Sequence, residues 1–158
     1  MREIRRKDRA MNDEAEMLQL LLEGEYGVLS TVGVDGLPYG VPLSYVLNGN
    51  AIYFHCAYEG RKIENIAHQP QVSFAVMGMA EAVYTQYFTT YYSSVLVFGT
   101  MTLVEEEAEK VQALMMLAEK YLPEYMDRAP GDIAGSLAKT AVYRLDIDSM
   151  SGKQKKKP

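Results

Sequence analysis

The chain has 158 residues, 48% hydrophobic, 23% charged and 10% aromatic, which is the make-up of an ordinary globular chain with room for one sizeable core. Its net charge of -5 hides a segregation: the first ten residues carry five basic and two acidic side chains, the last six carry four lysines, and residues 11–152 hold seven basic against nineteen acidic ones. So acidic a body excludes a nucleic-acid partner, and the lack of an apolar run of about 18 residues excludes a membrane-spanning helix. The basic start has no apolar stretch of the kind a secretory signal needs, and the single Cys56 permits no intrachain disulfide, so a reducing, cytoplasmic setting is expected.

In chain order, Met17, Leu18, Leu21 and Leu22 share one face of a predicted helix over 13–23. Asp13 with Glu16 has the form of a capping box, and Gly24 stands where a C-terminal glycine belongs. A strand follows over 26–32, then the tight turn Asp35-Gly36, a return strand over 38–47, a second tight turn at Asn48-Gly49 and a third strand over 51–56. Pro38 and Pro42 cannot donate to a ladder, so the return strand has an edge or bulged portion. A short helix is predicted over 60–68 and a fourth strand over 71–77. Residues 79–92 are ambiguous: Tyr84, Tyr87, Phe88, Tyr91 and Tyr92 fit helical spacing, while the intervening threonines favour strand or loop. The aromatics would line a flat ligand or pack in a core or interface. A fifth strand spans 94–104. A helix over 105–122 carries a stripe of Val104, Ala108, Val111, Met115, Ala118 and Leu122. A last helix over 132–139 and a sixth strand over 140–148 complete the series, and only the basic ends, 1–10 and 151–158, read as flexible. The fold class is mainly β in a single domain over 1–158: six antiparallel strands with peripheral α-helices, as a closed or half-open barrel.

The scarcity of positive charge singles out Arg61 and Lys62. Behind Glu59-Gly60, they open a helix just after a strand, where helix N-terminal amides, a guanidinium and an ammonium together suit a phosphate. The same pair would also be at home as solvated surface charges. No Walker-type loop or dinucleotide-binding glycine pattern is present. His55 and Cys56 point to opposite faces of their strand, and with only His68 besides, no metal site is expected. Cys56 reads as a small packed side chain and His68 as a surface residue at a helix end. His55 lies one short loop before the cationic pair, close to whatever carries that phosphate; it would equally serve as a structural histidine.

Taken together, Tyr26-Gly-Val-Leu-Ser-Thr, Asp35-Gly-Leu-Pro-Tyr-Gly-Val-Pro, Ile52-Tyr-Phe-His-Cys-Ala, Glu59-Gly-Arg-Lys-Ile-Glu-Asn-Ile and Pro70-Gln-Val-Ser-Phe resemble the pyridoxamine 5′-phosphate oxidase-like flavoproteins. Within them, Phe88-Thr-Thr-Tyr-Tyr-Ser-Ser-Val-Leu-Val-Phe-Gly, Thr140-Ala-Val-Tyr-Arg-Leu-Asp-Ile and the opening Arg5-Arg-Lys-Asp-Arg look most like the Nim-type, nitroimidazole-resistance or -reductase group. The resemblance implies a homodimeric split barrel with FMN at the subunit interface. It makes Arg61 and Lys62 the phosphate anchors. It sets Val41, Pro42, Leu43, Ser44, Tyr45, His55, Cys56 and Ala57 along the flavin, and brings Tyr92, Ser93 and Ser94 to it from the partner. His55 matches the histidine beside the flavin, which makes it the candidate catalytic residue. The implied activity is reduction of nitroimidazole-type or related acceptors with electrons from NAD(P)H or another donor. The alternative is a non-catalytic flavin- or haem-binding sensor, store or chaperone. The pyridoxine-forming oxidases carry a basic residue where this chain has Ser44, and a C-terminal Trp and Arg. This chain has no Trp, so vitamin B6 synthesis is not expected.

Overall fold

The protein, seen in a computed structural model that describes residues 4–157, is built on one antiparallel sheet of eight strands. In chain order they are β1 (Ala10–Met11), β2 (Tyr26–Val32), β3 (Pro38–Ser44), β4 (Val46–Asn48), β5 (Ala51–Cys56), β6 (Gln71–Tyr84), β7 (Phe88–Leu103) and β8 (Ala141–Lys155). Four helices accompany them: α1 (Glu14–Glu23), α2 (Arg61–His68), α3 (Glu107–Tyr121) and α4 (Ala129–Ser136). The strand order is β3-β2-β6-β7-β8-β5-β4, with β1 added beside β8. β3 and β4 are therefore the two ends of the sheet, yet only Tyr45 separates them in the chain. The sheet must curl until its ends meet. They do not pair, so the barrel is split along that seam.

The prolines explain why the seam stays open. Gly33 N–H donates to the Leu37 carbonyl, which fixes the alternation along the hairpin. Tyr39, Val41 and Leu43 then bond to β2, while the peptide groups of Pro38, Gly40, Pro42 and Ser44 face away from it. Two of those four have no N–H to offer a further strand.

Inside the curl lies a core that includes Leu21 of α1 with Leu29, Tyr45, Phe54, Phe74 and Val97. A second cluster under α3 joins Ala51, Tyr53 and Val142 to Ala113, Leu114 and Leu117. β5 alternates between the two cores, which accounts for its continuous apolar run. Each fully buried large side chain contributes about 1.5–3 kcal/mol.

Several sequence expectations change. The six expected strands become eight. The return strand breaks at Tyr45, a short β1 pairs with β8, and the ambiguous stretch 79–92 forms the outer part of a long β6–β7 hairpin. The capping box does not close: Asp13 accepts from Ala15 N–H at 2.9 Å, but Glu16 turns to Gln154 and Lys156 at 2.7 and 2.5 Å. Gly24 is not left-handed, with φ at -63°. It is needed for space instead, because a Cβ there would stand 2.5 Å from Val76 and 2.6 Å from the Tyr45 hydroxyl. The buried stripe of α3 is Lys110, Ala113, Leu114 and Leu117, rotated from the expected one, and Met115 and Met116 are only half-buried. The C-terminal lysines are not a free tail, since β8 runs through Lys155 and pairs Gln154 with Ser93 and Lys155 with Tyr92. At the other end a 3-10 turn, Lys7–Arg9, leads into β1. Residues 1–3 and 158, also expected to be flexible, lie outside the described residues.

Candidate functional site

The split leaves a cleft. β4 stops pairing with β5 at Val46 and Tyr53, whereas β8 accompanies β5 to Cys56. Phe54, His55 and Cys56 thus have a strand neighbour on one side only. α2 bridges this gap. Its Asn65 side-chain amide donates to the Thr31 hydroxyl at 2.9 Å, and that hydroxyl donates to the Tyr39 carbonyl at 3.3 Å, which fastens the helix to β2 and β3. Gly60 makes the entry at φ +117°, a conformation that favours glycine, and its carbonyl accepts the N–H groups of Ile63 and Glu64.

Arg61 and Lys62 occupy the first turn of α2, at the positive end of its dipole. Arg61 is partly engaged, 3.6 Å from an Asp35 carboxylate oxygen and 5.1 Å over the Tyr39 ring. Lys62 has no hydrogen-bond or ion-pair partner among the described residues, and its charge is felt by both residues at the end of β5. His55 is held below its ordinary pKa, first by burial and second by Lys62, although its edge reaches solvent. Burial pushes the Cys56 thiol up, and Lys62 opposes that. With Asp35 offsetting part of the Arg61 charge, Lys62 is the cation left beside a neutral imidazole and a neutral thiol, which fits a phosphate.

β3 supplies the opposite wall. Val41 and Leu43 pack toward the core, and Ser44 turns its peptide group to the seam. Tyr45 is fully buried: its hydroxyl donates to the Leu21 carbonyl at 2.6 Å, its ring meets Phe74 edge-on at 5.0 Å, and its N–H is spent on the Tyr121 hydroxyl at 2.9 Å. Ala57 and Pro42 are exposed. Tyr92, Ser93 and Ser94 lie on β7, two strands beyond β2 in the sheet order, and share no described contact with Arg61 or Lys62. Ser94 lines a separate cavity of about 630 Å³. One chain therefore holds the expected site residues in two clusters.

Three supports were missed in the sequence. Buried Lys110 donates to the Tyr58 hydroxyl at 3.0 Å and the Leu137 carbonyl at 2.5 Å, tethering the loop between β5 and α2. Lys120 donates to the Gly24 carbonyl at 2.7 Å and lies 4.1 Å over the Tyr45 ring. The Tyr121 hydroxyl is 2.5 Å from the Glu25 carbonyl and 2.9 Å from the Tyr45 carbonyl. Their partners are mostly distant backbone atoms, which leave no sequence signal. No group of three or more His, Cys, Asp or Glu able to hold a metal occurs among the described residues, nor any helix long and apolar enough to cross a membrane.

A family model described as "Pyridoxamine 5'-phosphate oxidase" matches residues 13–154. No curated protein matches the chain. Among solved structures, a candidate 5-nitroimidazole antibiotic resistance protein from Bacteroides thetaiotaomicron is 22% identical, with a TM-score of 0.78 over 91% of this chain and 85% of that one. The flavocytochrome Anf3 of Azotobacter vinelandii is 23% identical, with a TM-score of 0.86 over 99% of this chain and 73% of that one. An FAD- and haem-binding protein from Mycobacterium smegmatis is 18% identical, with a TM-score of 0.79 over 94% of this chain and 74% of that one. At these identities the likeness establishes the fold.

Proposed function

Since the chain belongs to the pyridoxamine 5′-phosphate oxidase family, we propose that it is an FMN-dependent oxidoreductase acting on nitroimidazole-type or related small acceptors with electrons from NAD(P)H or another donor. The observation that carries this reading is the unpaired Lys62 at the start of α2, beside Arg61 and within electrostatic reach of His55. Arg61 and Lys62 would bind the phosphate of the cofactor. The open edge of β3 and the end of β5 would flank its ring. When bound, FMN supplies the redox chemistry. His55, neutral above its lowered pKa, would turn its ring N–H toward the acceptor, give that proton up and take one from solvent at its other nitrogen.

A second copy would cover the outward face of β2, β6 and β7, where Val28, Ala75 and Leu96 lie with Met77, 70% exposed, and Phe98, 37% exposed. No described helix covers that face. A homodimer by light scattering at micromolar concentration is the expected result; a monomer carrying cofactor would remove the interface site.

The test of the cradle is Arg61→Gln with Lys62→Gln. FMN affinity should fall by about 2–5 kcal/mol with the fold intact. Riboflavin, without the phosphate, should bind wild type far more weakly than FMN, and equal affinities would end this reading. His55→Ala should keep FMN affinity within about tenfold, or 1.4 kcal/mol, while reduction of a nitroaromatic acceptor slows about 10²-fold. The rival reading is a flavin or haem carrier without turnover, favoured by the neutral, solvent-reaching His55, which could ligate a haem iron. A Soret band in the purified protein would decide for the haem carrier.

A further inference from the structure

Arg61 and Lys62 open the same helix but face different company. Lys62 has no carboxylate partner among the described residues. Arg61 leans to the β2–β3 hairpin, where its Nη2 stands 3.6 Å from Asp35 Oδ2 and its guanidinium lies 5.1 Å over the Tyr39 ring. Asp35 divides its carboxylate between two tasks. Oδ1 accepts the Leu37 N–H at 3.0 Å and closes the turn, while Oδ2 faces Arg61. The Asn65–Thr31–Tyr39 hydrogen bonds hold α2 against this hairpin. Gly33 leaves room for the approach, because a Cβ there would stand 2.6 Å from the Asp35 carboxylate and 3.1 Å from the Asn65 side-chain oxygen.

At 3.6 Å the two charges form an ion pair but no hydrogen bond, so the N–H fork of Arg61 stays available. Both side chains are about half exposed, where such a pair contributes little and exchanges readily. A phosphate offers the same guanidinium two hydrogen-bonded oxygens and a second negative charge. We propose that Asp35 is a resident counter-ion that a phosphate ligand displaces from Arg61, so that Asp35 sets how tightly the phosphate is held. This deepens the proposed function and rests on its phosphate cradle. The two cations then differ in role: Lys62 attracts the anion from the start, and Arg61 joins after releasing Asp35.

Asp35→Asn removes the charge and keeps an oxygen for the Leu37 N–H, in an Asn-Gly turn that hairpins favour. FMN should bind this variant about fivefold more tightly, with riboflavin unchanged. In an Arg61→Gln background the same substitution should move FMN affinity by less than about twofold, since no guanidinium is left to release. Inorganic pyrophosphate, followed by the His55 Cε1–H resonance, should repeat both results without a flavin ring. A wild type that prefers FMN to riboflavin, with Asp35→Asn binding FMN no more tightly, overturns the proposal and leaves the flavin reading standing. Equal binding of FMN and riboflavin to wild type ends the flavin reading instead, and pyrophosphate then decides the proposal alone. Pyrophosphate that does not bind, or that gains nothing from Asp35→Asn, overturns it. So does an equal gain with and without Arg61, which would mean that Asp35 acts on the anion directly through space.

Discussion

Lys62 and His55 form an electrostatic pair of unusual sign, a cation beside a base. Burial and Lys62 both disfavour imidazolium, so the folded pKa lies below the unfolded value of about 6.5. Above that value the imidazole is neutral in both states and contributes no pH dependence. As pH falls through it, the unfolded chain takes up the proton first, and stability declines until the folded pKa is passed. Lys62→Gln should raise the His55 pKa, and a phosphate dianion in the cleft should raise it further. Titration of the His55 Cε1–H resonance by NMR reads both. An unmoved resonance in the variant would mean that Lys62 does not face the imidazole. These residues could be read from the sequence because positive charge is scarce there and Gly60 announces a turn. Lys110 could not, because a lysine on a helix reads as solvent-facing until its partners, Tyr58 and the Leu137 carbonyl, are brought to it by the fold.

The elements were legible where one face is apolar and the turns are tight, as in β2, β5 and the hairpin at Asp35-Gly36. They were not where a polar side chain sits on the buried face. Lys110 interrupts the buried stripe of α3, so the apolar spacing pointed to a neighbouring face. The C-terminal lysines misled for the same reason, since charge alone suggested a solvated tail. In the fold their alternation is that of a strand. Gln154 and Lys156 reach Glu16 of α1, while Lys155 lies 5.8 and 5.3 Å from the rings of Tyr87 and Tyr91 and bonds Thr89, and Lys157 pairs with Glu81. This strap ties α1 to the outer β6–β7 hairpin, whose tip exposes Tyr84, Tyr87 and Phe88. Each surface pair alone contributes about 0–1 kcal/mol, so the paired backbone carries much of the effect. Deleting residues 154–158 should speed amide exchange over residues 81–92 and in the first turn of α1, and leave β5 unchanged. Equal exchange in both proteins would make the tail a passenger.

At the scale of the molecule, the seam between β3 and β4 is what turns a curled sheet into a split barrel, and a single tyrosine spans it. Tyr45 is the only residue between the two strand ends, and no neighbouring strand takes its N–H. Tyr121, at the end of α3, accepts that N–H at 2.9 Å, and its own hydroxyl proton meets the Glu25 carbonyl at 2.5 Å. The helix thus bolts both sheet ends to the segment before β2. The sequence placed both prolines in an edge or bulged portion, but could not foresee this bolt, because 76 residues separate its two halves. Tyr121→Phe keeps the ring and removes the acceptor, leaving the N–H of buried Tyr45 unsatisfied. The loss should be about 1–3 kcal/mol in urea unfolding, with the slope against denaturant unchanged because the same surface is exposed. Tyr125→Phe, at a tyrosine 50% exposed, is the control and should cost little. Amide exchange should quicken first at Tyr45 and Val46, where the ends part, and later in the paired residues of β2 and β3. A variant as stable as wild type, with Tyr45 still protected, would show that packing around the Tyr45 ring holds the sheet ends together without the bolt.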